Sequence, residues 1–182
     1  DGVVGRLYKG LQGLVKSRSV ELVEGTGRLT SPTTVQVGDE TYTASKAVVL
    51  ATGSYARSLP GLEIGGRVIT SYEALTLDYV PSSAIVLGGG VIGVEFASVW
   101  RSFGTDVTIV EALPRLVPNE DEACSKALDR AFRKRGIKSK TGVRFQGVTQ
   151  DANSVTVTLE SGESLQADVL LVAVGRGPNA TG

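Results

Sequence analysis

The chain contains no histidine, no methionine and a single cysteine among its 182 residues. Without histidine, Ser-His and Cys-His nucleophile arrangements and histidine metal sites are excluded within it. One thiol, Cys124, can form neither an internal disulfide nor a cysteine metal cluster. Net charge is also missing, since 19 Lys+Arg balance 19 Asp+Glu. That balance argues against binding nucleic acid or an anionic membrane through bulk charge. No stretch of about 18 residues is free of both charge and clustered glycine, so no transmembrane span is expected, and no signal peptide is visible. With no methionine and Asp1 at its start, the sequence reads as a piece of a longer protein.

Glycine is abundant instead: 23 residues, about twice the usual share of roughly 7%. Such density without a collagen-like period points to many turns and to close backbone approaches to a ligand. Val4, Leu7, Tyr8, Leu11, Leu14 and Val15 recur at helical intervals, which predicts an amphipathic helix. After Ser19 the period changes. Short strands are expected over 20–24, 27–30, 33–37, 40–43 and 46–51, making a small antiparallel meander that ends on the buried-looking run Ala47 to Ala51. Proline and glycine cluster in 55–67, and a domain boundary is placed near Leu59. Beyond it, 84–87 reads as a strand, followed by a helix with Ile92, Phe96, Val99, Trp100 and Phe103 on its buried face, ending at Gly104. A strand at 106–110 comes next. Asn119 is placed to cap a second helix carrying Glu120, Asp121 and Glu122 in its first turn. That helix buries Cys124, Ala127, Leu128, Ala131 and Phe132 and stops at Gly136, with the basic residues Arg130, Arg133, Lys134, Arg135, Lys138 and Lys140 as a solvated helix end. A second meander is expected over 142–149, 154–159 and around Leu165. The continuous apolar run 168–174 suits the middle of a sheet covered on both faces. Alternating strands and helices predict an α/β fold, a Rossmann-like parallel sheet with right-handed crossovers and a β-meander.

Gly88-Gly89-Gly90-Val91-Ile92-Gly93 fits G-x-G-x-x-G. It follows an expected strand, opens an expected helix, and precedes a strand ending in an acid, Glu111, 18 residues after Gly93. In that setting Gly88 permits the tight turn, Gly90 admits a pyrophosphate close to the backbone, and Gly93 lets the helix lie against the sheet. Glu111 can accept hydrogen bonds from the adenosine ribose and repel a 2′-phosphate, which selects NAD(H); the bland alternative is a solvated strand end, and Arg115 could partly offset the repulsion. Glu95, placed in the helix's first turn, either reaches the nicotinamide-side ribose or complements the helix dipole. Cys124 reads as a core thiol.

These residues resemble a known family, the flavin-dependent pyridine nucleotide-disulfide oxidoreductases. The resemblance rests on Val48-Val49-Leu50-Ala51-Thr52-Gly53-Ser54 with Leu59-Pro60-Gly61, on Gly88 to Glu95, on Val107 to Glu111, and on Val174-Gly175-Arg176-Gly177-Pro178-Asn179, where Ala180 replaces a usual threonine. It implies that Thr52, Gly53 and Ser54 touch FAD and that Gly27 meets the FAD adenine. It also implies an NAD site at Gly88, Gly89, Gly90, Val91, Ile92, Gly93, Val94, Glu95 and Glu111, with Phe145 and Gly175 adjoining. Residues 1–58 would then be part of a FAD domain, 59–178 the NAD domain, and 179–182 the start of the return. The family's redox cysteine pair would lie before Asp1 and its histidine base after Gly182, so this chain alone is expected to be inactive.

Within the family the resemblance is to the branch that oxidises dihydrolipoamide with NAD+. That implies a homodimer, a lipoyl-bearing partner in a 2-oxo acid dehydrogenase or glycine cleavage complex, and a cytoplasmic or mitochondrial-matrix location. A non-catalytic NAD/NADH sensor, a mercuric reductase and a flavin-dependent transhydrogenase are the alternatives.

Overall fold

The computed structural model describes residues 2–180, so the expected return segment 179–182 lies partly outside the described residues. The chain divides into two compact units, residues 1–51 and 52–182. No helix among the described residues is long and apolar enough to cross a membrane.

In the first unit, α1 (Gly2–Ser17) forms where the three- and four-residue apolar spacing predicts it. The strands β1 (Gly27–Ser31), β2 (Thr34–Val37) and β3 (Glu40–Thr43) pair antiparallel in sequence order, as expected of a meander. The expected strands at 20–24 and 46–51 do not form. A strand exists only where a neighbour accepts and donates its backbone hydrogen bonds, and among the described residues no strand lies beside either segment. The run read as buried is instead open, with Val49 84% and Leu50 66% exposed.

The second unit begins with β4 (Ser54–Ala56), β5 (Val68–Ile69) and the one-turn helix α2 (Ser71–Ala74). None of the three was anticipated, because each is too short to show a period. α2 starts on a reciprocal cap: Tyr72 N–H donates to Thr70 Oγ1 at 3.2 Å, and Thr70 N–H donates to Glu73 Oε2 at 2.8 Å. Then follow β6 (Ser83–Leu87), α3 (Val91–Ser102), β7 (Asp106–Glu111), α4 (Glu122–Lys134), β8 (Lys138–Thr141), β9 (Phe145–Gln150), β10 (Val155–Leu159), β11 (Ser164–Ala167), β12 (Val169–Val172) and β13 (Arg176–Pro178). Five strands form a wholly parallel sheet in the order β5-β12-β6-β7-β8. The second meander, β9 to β11, sits in the connection from β8 to β12.

The apolar runs read as continuous because the sheet is covered on both faces. Val86, Val107, Ile109, Val169 and Leu171 pack with Ala97 and Trp100 of α3 and Phe132 of α4. Their neighbours Ile85, Leu87, Val110, Leu170 and Val172 pack against Val155, Val157 and Leu159 of the meander.

The buried faces of α3 and α4 are rotated from the expected ones: Trp100 and Phe132 are buried as expected and Phe96 and Leu128 pack against the core, but other expected positions are not. α3 turns Gly93, Val94, Ala97 and Trp100 inward and leaves Val99 48% and Phe103 65% exposed. Small residues win because the helix lies close against the strand and turn before it. α4 begins at Glu122 after Asp121, not at an Asn119 cap, and it buries Ser125 and Phe132. Cys124 is exposed, which corrects its reading as a core thiol, and Ala127 and Ala131 are exposed as well. Ser125 is turned inward, and its hydroxyl donates to Val117 O at 3.4 Å. Small apolar residues offer little area to oppose that phase. The basic run is also divided: Lys138 and Lys140 lie in β8 and pair with Asp106 and Glu163, while Arg135 donates to Ser98 and Ser102.

Candidate functional site

The strand order reverses beside β6, which has β7 on one side and β12 on the other. In open parallel sheets that reversal leaves a crevice beyond the carboxyl ends of the strands. A cleft of about 500 Å³ lies there, lined by Leu87, Gly88, Gly90, Val91 and Ile92, by Val110 to Leu113, by Pro118 and Asn119, by Val143 and Phe145, and by Ala173 to Arg176. The wall is mostly apolar, with Glu111, Asn119 and Arg176 as its polar side chains.

The glycine turn is shaped by contacts that admit no side chain at two positions. Gly88 has φ +111°, and a Cβ there would stand 2.4 Å from Ala173 O. A Cβ on Gly93 would stand 2.0 Å from Gly88 O, so α3 presses directly on the turn. Gly90 differs. Its φ of −73° suits any residue, and nothing lies within 4 Å of a Cβ built on it. Neither backbone nor packing calls for glycine at this position, and Gly90 lines the cleft. α3 also starts without a side-chain cap, which leaves its first N–H groups and the positive end of its dipole for an anionic ligand. The residues therefore fit the pyrophosphate of a dinucleotide.

Glu111 ends β7 with only 9% exposure. Its carboxylate accepts from Gly89 N–H at 2.6 Å and from Leu113 N–H at 2.7 Å. It is a buried, hydrogen-bonded acid in the cleft wall, not a solvated strand end. Arg115 is turned to its own loop, donating to Pro118 O at 2.8 Å and Glu120 O at 3.0 Å, and it does not line the cleft.

Of the expected nucleotide residues, the structure brings together Gly88, Gly90, Val91, Ile92, Glu111, Phe145 and Gly175. Gly89 lies just behind them, bonded to Glu111. Gly93 and Val94 are buried between helix and sheet. Glu95 is the fifth residue of α3, outside its first turn, and borders a separate depression with Leu75, Val94, Phe96 and Leu128. Leu113, Pro118, Asn119, Val143 and Arg176 were missed. For Leu113, Pro118 and Asn119 the signal is topological: the loop after the acid-bearing strand must pass over the same crevice.

The expected flavin residues fall in both units. Gly27 opens β1 in the first. In the second, Thr52 Oγ1 donates to Asn179 O at 2.6 Å and Asn179 N–H donates to Gly53 O at 3.1 Å. Arg176 Nε donates to Ser54 Oγ at 2.7 Å, where β4 and β13 pair antiparallel.

The family model for pyridine nucleotide-disulphide oxidoreductases matches residues 2–182. The chain is 40% identical to dihydrolipoamide dehydrogenase of Chaetomium thermophilum over 98% of its own length and 38% of that protein's. It is 41% identical to dihydrolipoyl dehydrogenase 3 of Pseudomonas putida over 100% of its length and 41% of that protein's. Among solved structures, LpdA of Mycobacterium tuberculosis matches with a TM-score of 0.81 at 27% identity, covering 100% of this chain and 42% of that one. The flavoprotein disulfide reductase RclA of Escherichia coli matches with a TM-score of 0.73 at 29% identity, covering 88% and 37%. The chain thus spans about two fifths of the length of these relatives. With a mixed α/β fold of the same kind and a family match over almost every residue, the chain belongs to the pyridine nucleotide-disulphide oxidoreductases.

Proposed function

We propose that the chain is the NAD(H)-binding central part of a flavin-dependent disulfide oxidoreductase that oxidises dihydrolipoyl groups. The observation that carries this reading is the pairing of an unobstructed Gly90 with a buried Glu111 in one cleft at the strand-order reversal. Residues 59–178 are the NAD domain in this reading, 1–58 a segment of the FAD domain, and 179–182 the start of the return. Thr52, Gly53, Ser54 and Gly27 are assigned to FAD. The names of the relatives support the dihydrolipoyl substrate, and with it a lipoyl-bearing protein partner; a homodimeric whole enzyme and a cytoplasmic or mitochondrial-matrix setting belong to the same proposal.

When bound, the nicotinamide supplies a hydride acceptor. The work of this chain's own residues is to hold it. The amides at the start of α3 receive the pyrophosphate, Glu111 receives the adenosine ribose hydroxyls, and Phe145 and Gly175 close the adjoining wall. Because the sequence has no histidine and one cysteine, it carries neither the family's base nor its thiol pair. The isolated chain is therefore expected to show no turnover with dihydrolipoamide.

Glu111 sets the choice of nucleotide. A 2′-phosphate removes a hydrogen bond to the carboxylate and adds a close like charge, together about 2–3 kcal/mol, or roughly a hundredfold in affinity. Calorimetric titration of the chain with NADH and NADPH tests this. NADH is expected to bind tighter by that factor, and Glu111→Arg to move preference toward NADPH. Equal binding of both nucleotides by the unaltered chain refutes the assignment.

A further inference from the structure

The two peptide groups flanking Gly89 are held by the end of β7 and the loop that follows it. Gly89 N–H donates to Glu111 Oε2 at 2.6 Å, and the Gly89 carbonyl accepts from Val117 N–H at 2.7 Å. Leu116, 2% exposed, lies against it: a Cβ on Gly89 would stand 2.8 Å from Leu116 Cδ2 and 3.1 Å from Glu111 Cβ. Val117 adopts φ +42° in delivering that N–H, a left-handed conformation unfavourable for a β-branched residue. Among the described residues, only Ser19 is another non-glycine with positive φ. Val117 is 7% exposed, and its carbonyl accepts from Glu120 N–H at 3.0 Å. The second oxygen of Glu111 is fixed by Leu113 N–H. Every member of this arrangement belongs to the strand end and loop that follow the acid, and all of it converges on the middle of the glycine turn. Backbone strain of this kind persists where surrounding structure imposes it, and it concentrates at ligand sites.

We propose that Glu111 and Val117 form a clamp that holds the two peptide groups flanking Gly89, and with them the start of α3, in the geometry that receives a dinucleotide pyrophosphate. This rests on the NAD(H) reading above and deepens it. Three consecutive glycines are conformationally permissive. Left unheld, the turn would have to be ordered at binding, and affinity would fall by the cost of that ordering. Glu111 is then a positioning residue for the phosphates in addition to a ligand for the ribose, and Val117 positions through its backbone.

The two roles of Glu111 separate with a ligand that lacks the ribose hydroxyls. The full 182-residue chain is titrated with NADH and with the NADH analogue whose adenosine ribose carries neither the 2′- nor the 3′-hydroxyl. The variants are Glu111→Ala and Glu111→Gln. Gln is nearly isosteric and retains one acceptor oxygen, so it tests the clamp in a folded protein even where the Ala variant fails to fold. Its amide nitrogen must face one of the two N–H donors. Both variants are expected to weaken the dideoxy analogue by about three- to tenfold, although neither can lose a ribose bond to it. In the absence of ligand, amide hydrogen exchange should quicken at both Gly89 and Val117 in Glu111→Gln while the C-terminal turns of α3 keep their protection. If the unaltered chain binds no NADH, the nucleotide reading itself fails. If it binds NADH and the variants weaken NADH alone, leaving the dideoxy analogue and the Gly89 and Val117 exchange unchanged, the clamp is overturned and the nucleotide reading stands.

Discussion

Replacing Gly90 by alanine should leave the fold intact and damage nucleotide binding, a combination that only a ligand-facing glycine can produce. Gly90 is the N-cap of α3, with φ −73° and ψ −178°. Alanine there is a poorer cap than glycine, by about 0.5–1 kcal/mol. It also restricts the unfolded chain, which stabilises the folded state by about 0.4–1 kcal/mol. No atom lies within 4 Å of the new Cβ, so no packing cost is added, and the two effects cancel to within about 0.5 kcal/mol. For a chain of this size that moves Tm by no more than about 2 °C. Gly90 lines the cleft, so in the proposed reading the added methyl group is expected to crowd the approach of the pyrophosphate to the backbone. Displacing that group from two α3 amides removes charge-assisted hydrogen bonds and weakens NADH by about 2–3 kcal/mol, roughly thirty- to a hundred-and-fiftyfold. Gly93→Ala is the control of opposite kind. Helix propensity favours it by up to about 1 kcal/mol, but its Cβ would meet Gly88 O at 2.0 Å, and pushing α3 away costs about 1–3 kcal/mol. Thermal melts followed by circular dichroism, with NADH fluorescence titration, read both quantities. A Gly90→Ala protein that melts several degrees lower, or that binds NADH as tightly as the unaltered chain, refutes the reasoning.

Asp168 joins the starts of β12 and β6, accepting from Ser82 N–H at 2.7 Å, Ser83 N–H at 3.3 Å and the Ser83 hydroxyl at 3.2 Å. Burial pushes its carboxyl up, but the Ser82 and Ser83 bonds outweigh it and hold the group below the usual aspartate value. Its stabilising contribution is therefore complete above that usual value and lost as pH falls through the lowered one. Asp168→Asn should cost about 1–3 kcal/mol at neutral pH and flatten the acid limb of Tm against pH; an unchanged acid limb refutes the assignment. Exposed Cys124 should react with one equivalent of an aromatic disulfide reagent without denaturant, and Cys124→Ser should change stability by less than about 0.5 kcal/mol. A thiol that reports only after unfolding contradicts the observed face of α4.

Alternation and period were enough to place the central parallel strands β6, β7 and β12, the strands β1 to β3, the second meander, α1 and α3, but not β5 or β8 at the sheet edges. A strand covered on two faces reads as an unbroken apolar run. The stops at Gly104 and Gly136 were legible for a local reason: their φ values of +100° and +77° are ones that side chains resist. The glycine motif and its distance to Glu111 located the cleft for the same cause, since close backbone approach leaves a residue-type signature. Helix phase was legible only for the large side chains Trp100 and Phe132, which are buried as expected. In α3 and α4 the inward face was chosen by how near the helix had to come to the turn and strand, and that distance is a property of the packed sheet. Val49 and Leu50 show the same limit from the other side: an apolar run becomes a strand only when a partner lies beside it. Only the tertiary structure decided that Leu113, Pro118 and Asn119 share a wall with Gly88. It also decided that Glu111 turns its carboxylate onto Gly89, because both depend on where a loop folds back across a strand-order reversal that sequence spacing does not record.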